Sequence, residues 1–359
     1  MRKIGICFGG YCPLYRGHLD LIMESKKTND LTYVVVCGYN GEPRGESTDL
    51  PLIKRYRIIK NFLEDALVKV IYIDDTELGI DESMSPCNWV IWTKAVADKT
   101  GVTDADDVTW YVAEESYVEA LKENCVFKSR IEKRDRTINP ISGTDCRNNA
   151  LKYWNDITIP FRAYFSHNIL VTGTASEGKT TLVQDIGKYY GLPYSYEKGR
   201  DTCHLKTDTE FTVKDFIYNL YEQHKYNEEL ITSPQNPGIF VSDTDNMVTL
   251  MYAYHYAQRN DFALSAEDYD VLYQMTKAYA PTTKWDKIFL LEPHPKGIVD
   301  DGERYMPDSD YSIRKGFFDF LKRLYDEFGY EYEILNGTYY ENYMKVRGYI
   351  DGLYRKAQS

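Results

Sequence analysis

One short segment constrains this chain more than any other. Gly173-Thr174-Ala175-Ser176-Glu177-Gly178-Lys179-Thr180 satisfies the spacing G-x-x-x-x-G-K-[ST] at every fixed position. An apolar run, Asn168 to Thr172, precedes it and a helical apolar period follows. A strand that turns through glycines into a helix aims successive main-chain N–H groups at one point, and the helix N-terminus adds its partial positive charge. That geometry suits a row of phosphates. Gly173, Ser176 and Gly178 would let the backbone close around phosphate oxygens of ATP, with Thr181 continuing the loop into its helix. Lys179 would reach the β- and γ-phosphates and Thr180 would place a hydroxyl on Mg²⁺. A flexible turn without a ligand is the bland alternative.

The same strand–turn–helix alternation runs through the whole sequence and predicts parallel sheets covered by helices on both faces. A first series has strands at Ile4 to Phe8, Tyr33 to Cys37, Val70 to Ile73 and Val108 to Val112, with helices clearest at His18 to Lys27, Leu52 to Leu63 and Asn88 to Lys99. A second series restarts at Asn168 to Thr172 and continues with Gly238 to Ser242, Lys287 to Leu291 and Tyr332 to Leu335. With 359 residues the chain exceeds one ordinary core. The expected class is α/β, with two doubly wound parallel-sheet domains, 1–156 and 166–359. Residues 157–165 form the join, where Pro160 interrupts an extended-looking stretch.

Composition narrows the partners. No stretch approaches the roughly 18 apolar residues of a membrane span, so a soluble chain with no membrane partner is expected. The formal charge of −12 argues against nucleic acid, which is held mainly by cationic surface. Seven scattered cysteines with no C-x-x-C pair fit a reduced cytoplasm rather than a disulfide or zinc framework. Small-molecule partners remain, and a homo-oligomer stays open. The 33 tyrosines follow no fixed period and have no functional account.

Carboxylates for the metal and the acceptor can be sought at the ends of neighbouring strands. Asp243 closes the run Ile239-Phe240-Val241-Ser242 and is the chosen metal ligand; Asp245 can share or replace that role, and an acid here can instead cap the next helix. Glu197 and Asp201 flank Gly199-Arg200, and either could take a hydroxyl proton or hold ribose hydroxyls. Asp300-Asp301-Gly302-Glu303-Arg304 suits a lid whose arginine stabilises transferring charge, although such a loop is often only solvated surface. In the first half, Gly9-Gly10-Tyr11-Cys12-Pro13-Leu14-Tyr15-Arg16-Gly17-His18 joins a strand to a helix. Ile141-Ser142-Gly143-Thr144-Asp145-Cys146-Arg147 is a second such turn, with two hydroxyls and an arginine. Together they could grip one triphosphate. His18 can equally be a packing histidine.

These pieces, in this order and spacing, resemble the NadR-type family of bifunctional nicotinamide-nucleotide adenylyltransferase and ribosylnicotinamide kinase over nearly the whole chain. The first half resembles its G-x-[FY]-x-P-x-H-x-G-H signature at Gly9, Tyr11, Pro13, Gly17 and His18 and its I-S-x-T-x-x-R signature at Ile141, Ser142, Thr144 and Arg147. The second half resembles it in the P-loop, Glu197 with Gly199-Arg200, Asp243-Thr244-Asp245, and Asp300-Asp301-Gly302 with Arg304. The resemblance implies a Rossmann-like nucleotidyltransferase domain followed by a P-loop kinase domain, using ATP and Mg²⁺ on ribosylnicotinamide, NMN and NAD. It further implies that Trp89 stacks on the nicotinamide ring with Trp92 beside it, for which core packing is the alternative. Arg136 would neutralise phosphate, and Glu197, Arg200 and Asp245 would contact the nucleoside. The family's amino-terminal helix-turn-helix segment is expected to be absent, because a strand begins at the terminus. One departure stands out: the first signature histidine is Tyr15 here. A weakened adenylyltransferase and a non-catalytic NAD- or ATP-binding regulatory module are the two expectations it leaves. A smaller departure is Asp201, where relatives often carry glutamate.

Overall fold

The computed structural model describes residues 1–80, 88–135, 137, 140–203, 206, 208–295 and 310–358. It divides into two compact units, Met1–Phe165 and Ser166–Ser359. Each carries a five-stranded parallel sheet with helices on both faces, the doubly wound class expected.

In the first unit the elements run β1 (Lys3–Gly9), α1 (Arg16–Thr28), β2 (Leu31–Gly38), α2 (Pro43–Ser47), α3 (Leu52–Leu63), β3 (Val68–Asp74), α4 (Trp89–Thr100), β4 (Asp107–Val112), α5 (Glu115–Asn124), β5 (Arg130–Lys133), α6 (Gly143–Asn148) and α7 (Ile159–Arg162). The sheet order is β3-β2-β1-β4-β5. Strand period two divides β2 between two cores: Val34 and Val36 join Ile22 of α1 and Ile59 of α3, while Val35 joins Trp92 and Val96 of α4 on the opposite face. Fully burying each such valine or isoleucine contributes about 1.5–3 kcal/mol. Neither face can be exposed without losing a core, which is why helices must cover both.

The second unit runs β6 (His167–Gly173), α8 (Lys179–Tyr190), β7 (Tyr194–Ser195), α9 (Gly199–Cys203), α10 (Val213–Thr232), β8 (Ile239–Asp243), α11 (Asn246–Ala257), α12 (Ala266–Tyr279), β9 (Lys287–Leu291), α13 (Tyr311–Glu327), β10 (Glu333–Leu335) and α14 (Tyr339–Gln358). Its sheet order is β10-β9-β6-β8-β7. Leu170, Ile288 and Leu290 face the core built with α10 to α13. Phe289 points the other way, its ring 6.0 Å from Tyr349 of α14.

Three differences from the sequence expectation have physical causes. β5 and β7 were not anticipated, because β5 reads Arg-Ile-Glu-Lys with no apolar run and β7 has two residues. The join is not extended. Pro160 lies in the first turn of the short helix α7, where its missing N–H costs nothing, and Ile157, Phe161 and Phe165 recur at helical spacing and are buried in the first unit's core. β1 and β6 each lie between two strands whose connections run to opposite sides, so a crevice opens at each carboxyl end. The glycine-rich turns leave from those ends.

Candidate functional site

β6 ends at Gly173, with φ at 145°. A Cβ there would stand 2.7 Å from the carbonyl oxygen of Leu291 on β9, so the residue must be glycine for the strands to lie this close. Gly178, at φ 82°, caps α8 in the left-handed region, and Ser176 at φ 66° bends the loop between them. Lys179 is 5% exposed and donates to the Thr174 carbonyl at 2.7 Å, folding across the loop.

The next residue is the hub. Thr180 Oγ1 donates to Asp243 Oδ2 at 2.5 Å, and Arg200 Nη2 donates to Thr180 Oγ1 at 3.4 Å. Arg200 in turn pairs with Glu197 at 3.5 Å. Asp243 is buried at the end of β8. Its pKa is raised by loss of solvent, opposed by the Lys179 ammonium and reinforced by Glu197. So Lys179, Thr180, Glu197, Arg200 and Asp243 gather in one place. A hydroxyl and a carboxylate, both hard oxygen donors, are the set from which Mg²⁺ takes a few protein ligands and keeps the rest for phosphate and water.

Two other carboxylates are engaged differently. Asp245 is the N-cap of α11, accepting from Met247 N at 3.1 Å and from the buried Tyr325 hydroxyl at 2.8 Å. Burial pushes its pKa up to about 7. The helix-capping alternative thus describes Asp245, not Asp243. Asp201 accepts from Tyr196 Oη at 3.1 Å and Lys198 Nζ at 3.3 Å. Arg304 and Arg136 lie outside the described residues.

In the first unit the crevice is a cleft of about 220 Å³ between the ends of β1 and β4. Gly9, Gly10, Tyr11, Tyr15, Gly17 and His18 line one wall. Ser142, Thr144 and Arg147 line another, joined by Glu114 and Tyr117. Arg147 is locked to the glycine turn, donating through Nη1 to the Cys12 carbonyl and through Nη2 to Thr144 Oγ1 at 2.9 Å. Ser142 caps α6 reciprocally with Asp145, at 3.1 Å from Asp145 N and 2.7 Å from its carboxylate. Its hydroxyl therefore already has a structural partner.

Tyr15 is 8% exposed, and its ring centroid lies 4.0 Å from that of His18, with Tyr11 edge-on to His18 at 4.8 Å. A Cβ on Gly17 would come within 2.6 Å of the Tyr15 ring, so glycine makes room for it. Trp92 is 3% exposed among Phe8 and Trp110, which makes it a core residue. Trp89 is partly exposed and packs edge-on against Phe8 at 5.7 Å.

The cleft wall carries two further cations, Arg44, which sequence reasoning missed, and Arg134, which belongs to the basic run before the second turn and reads from sequence as solvated surface. Arg44 pairs with Glu42, which Arg55 grips from the other side at 2.6 Å with its guanidinium fully buried. Burial and then repulsion from Arg55 lower the Arg44 pKa. Arg134 pairs with Asp20 at 3.0 Å. Their signal was position: both follow the carboxyl end of a strand, where crevice residues of a doubly wound sheet come from. Among the described residues no group of three or more His, Cys, Asp or Glu side chains could hold a metal unaided, and no helix is long and apolar enough to cross a membrane.

Comparison with known proteins bears on both units. A family model described as an AAA domain matches residues 168–342. The trifunctional NAD biosynthesis/regulator protein NadR of Salmonella typhimurium is 24% identical over 345 residues, spanning 92% of this chain and 78% of that protein. The protein of the same name from Escherichia coli is 22% identical over 338 residues, with the same coverage of 92% and 78%. Among solved structures, a NadR protein in complex with NR is 30% identical, with a TM-score of 0.80 over 94% of this chain and 91% of that one. A NadR protein in complex with NAD and AMP-PNP is 28% identical, with a TM-score of 0.81 over 100% and 97%.

Proposed function

This chain belongs to the NadR family, and from that premise we propose that its second unit phosphorylates ribosylnicotinamide with ATP, giving NMN and ADP, while its first unit joins NMN to a second ATP, giving NAD and pyrophosphate. The kinase reading rests on one observation above all: the P-loop amides, Lys179, Thr180 and Asp243 meet where β6 and β8 end. Phosphoryl transfer needs little covalent help from protein and much positioning of charge. Lys179 would exchange the Thr174 carbonyl for the β- and γ-phosphates. Thr180 and Asp243 would hold Mg²⁺, which screens phosphate charge when bound. Glu197 lies in the same hydrogen-bonded group as Thr180 and is preferred to Asp201 as acceptor of the hydroxyl proton. Arg200 and Asp245 are the further nucleoside contacts, and Arg304 is the cation for the transition state.

In the first unit the phosphate of NMN would attack the α-phosphorus of ATP, with no covalent enzyme intermediate. Gly9, Gly10 and Gly17 give the phosphates room. His18, Thr144 and Arg147 then supply donors, with Ser142 more as the cap that fixes α6. Removing one such donor commonly costs about 10²–10³-fold in rate, which is the expected consequence of Tyr15. The packing of Tyr15 on His18 also favours a second reading, a module that binds NAD or ATP and regulates the kinase.

Incubating the purified protein with ATP, Mg²⁺ and ribosylnicotinamide and separating products over time tests the proposal. NMN and ADP in equal amounts are expected first. No ADP above the level given by Lys179→Ala would end the kinase reading, and faster turnover of another nucleoside would replace the substrate. For the first unit, Tyr15→His should raise NAD formation from NMN by about 10-fold or more if a catalytic donor is restored. Unchanged ligand binding with no NAD from either protein would favour the regulatory module.

A further inference from the structure

We propose that Glu177 and Arg314 form a buried positioning pair that holds the phosphate loop in its nucleotide-binding shape, an inference that rests on reading the second unit as an ATP-dependent kinase. Glu177 occupies a variable position of G-x-x-x-x-G-K-T, where a charged side chain could simply point to water. Instead the Glu177 side chain is 4% exposed and that of Arg314, in the first turn of α13, is 3% exposed.

The hydrogen bonds close a ring. Arg314 Nη1 donates to Glu177 Oε1 at 2.5 Å, and the His294 main-chain N–H donates to Glu177 Oε2 at 3.0 Å. Arg314 Nη2 completes the ring by donating to the His294 carbonyl at 2.8 Å, and Thr174 Oγ1 adds a longer bond of 3.4 Å to Glu177 Oε1. Three separate parts of the chain, the phosphate loop, the exit of β9 and the start of α13, are thereby pinned to one carboxylate.

Burying two charges is costly, and a well-packed apolar pair of similar volume is often equally stable. A fixed geometry is what the ionic pair adds. Glu177 stands between Ser176 and Gly178, both with positive φ, at 66° and 82°. A non-glycine residue in that region persists where its surroundings over-determine it, and the ring supplies that constraint. α13 carries the constraint further. Its Tyr325 hydroxyl donates to Asp245 Oδ1 at 2.8 Å and lies 3.1 Å from the Thr172 hydroxyl, from which it can accept, so one helix braces both the strand that enters the phosphate loop and the Asp245 carboxylate.

The consequence is for ATP rather than for the nucleoside. If loosening the ring lets the loop visit other shapes, apparent ATP affinity falls by the fraction of time it is competent, and a competent fraction of one tenth raises the KM for ATP about 10-fold. Steady-state kinetics on the full chain with ATP, Mg²⁺ and ribosylnicotinamide, plus calorimetric binding of a nonhydrolysable ATP analogue, measure this. The double variant Glu177→Leu/Arg314→Met keeps volume without burying a lone charge. It should raise the ATP KM and the analogue Kd about 10-fold, with kcat and the nucleoside KM within about twofold. Arg314→Lys should fall between, about threefold, because one ammonium cannot replace the two-pronged guanidinium contact. A wild-type ATP KM in the double variant overturns the proposal, as does one in Arg314→Lys should the double variant fail to fold. Lower thermal stability with an unmoved ATP KM also overturns it, since that is the mark of a merely structural pair. An unaltered chain that neither binds the analogue nor turns over ATP removes the kinase reading and this inference with it.

Discussion

The two glycine-rich turns leave equivalent places, the carboxyl ends of β1 and β6, yet they are built of different material. Beyond β6 the grip is main chain. Gly173 is forced by a carbonyl 2.7 Å from where its Cβ would be, two further residues take positive φ, Lys179 is bonded back to the loop's Thr174 carbonyl and Thr180 to Asp243 at the end of β8. Beyond β1 the walls are side chains: Tyr11, Tyr15, His18, Arg44, Thr144 and Arg147 around an open cleft. A grip of amides depends on a backbone shape and tolerates no change at the positions that set it. One made of independent side chains can lose a donor and keep the rest. Tyr15 stands among those independent side chains, whereas the P-loop spacing is intact at every fixed position.

Lys179→Ala offers the largest test of this contrast. Removing the loop's own ammonium should lower kcat/KM for ribosylnicotinamide phosphorylation by at least about 10²–10³-fold. Thermal stability should fall less than for the first-unit arginine Arg147, because Lys179 contributes one bond to the Thr174 carbonyl and its charge near Asp243, a carboxyl that burial already helps to protonate. Arg147→Ala, by contrast, should weaken NAD formation or ligand retention in the first unit while also lowering stability, because Arg147 braces the Cys12 carbonyl. If both variants lose activity without losing stability, the two grips are alike and the contrast fails.

A smaller effect separates the glycines themselves. Gly173→Ala places a methyl against a main-chain oxygen at an unfavourable φ, and should cost roughly 1–3 kcal/mol of stability in thermal melts. Gly10→Ala meets the guanidinium of Arg44, 2.8 Å from Nη2, and no backbone atom, so the Arg44 side chain can shift while its Nε keeps Glu42. It should cost less than about 0.5 kcal/mol, the usual range for a change that touches no rigid feature. Equal losses would show that the first turn is as backbone-determined as the second.

What the sequence made legible follows the same division. The strands were legible because period two and apolar runs survive in β1, β2, β6, β8 and β9, and the P-loop was legible because its glycines are backbone requirements. β5 and β7 lacked an apolar run to announce them. The Glu177–Arg314 ring joins residues far apart in the chain through side chains at positions no local pattern marks, and the Glu42–Arg55 pair behind Arg44 is of the same kind. Trp89 and Trp92 show the limit from the other side. Their spacing fitted both a stacking platform and a core, and only burial separates Trp92, at 3% exposed, from its neighbour.

The smallest effect concerns pH, and it sharpens the comparison between units. In the first unit Asp75 is raised to about 6, chiefly by burial and next by Asp74. Its folded form holds a proton more tightly than the unfolded chain, so its contribution to stability grows as pH falls from about 6 towards 4. In the second unit two of the shifted groups oppose one another. Asp245, raised to about 7, acts in the same direction as Asp75. His255 acts against it: burial, then Arg323 and Arg259, lowers it from 6.5 to about 4, and its Nε2 has no partner among the described residues. The unfolded histidine takes up a proton near 6.5 while the folded one resists until about 4, so stability is present above 6.5 and lost as pH falls through that window. Replacing it by phenylalanine, against the Phe317 ring 4.1 Å away, removes that loss. Discounted for the ring's partial exposure, the gain between pH 7 and pH 5 should be about 1 kcal/mol, a shift of roughly 2–4 °C in the difference between variant and parent melting temperatures. Asp245→Asn should move that difference the opposite way. A His255→Phe protein whose advantage is the same at both pH values would mean that the histidine is not held neutral by the fold, and Asp245 would then act in the second unit as Asp75 does in the first.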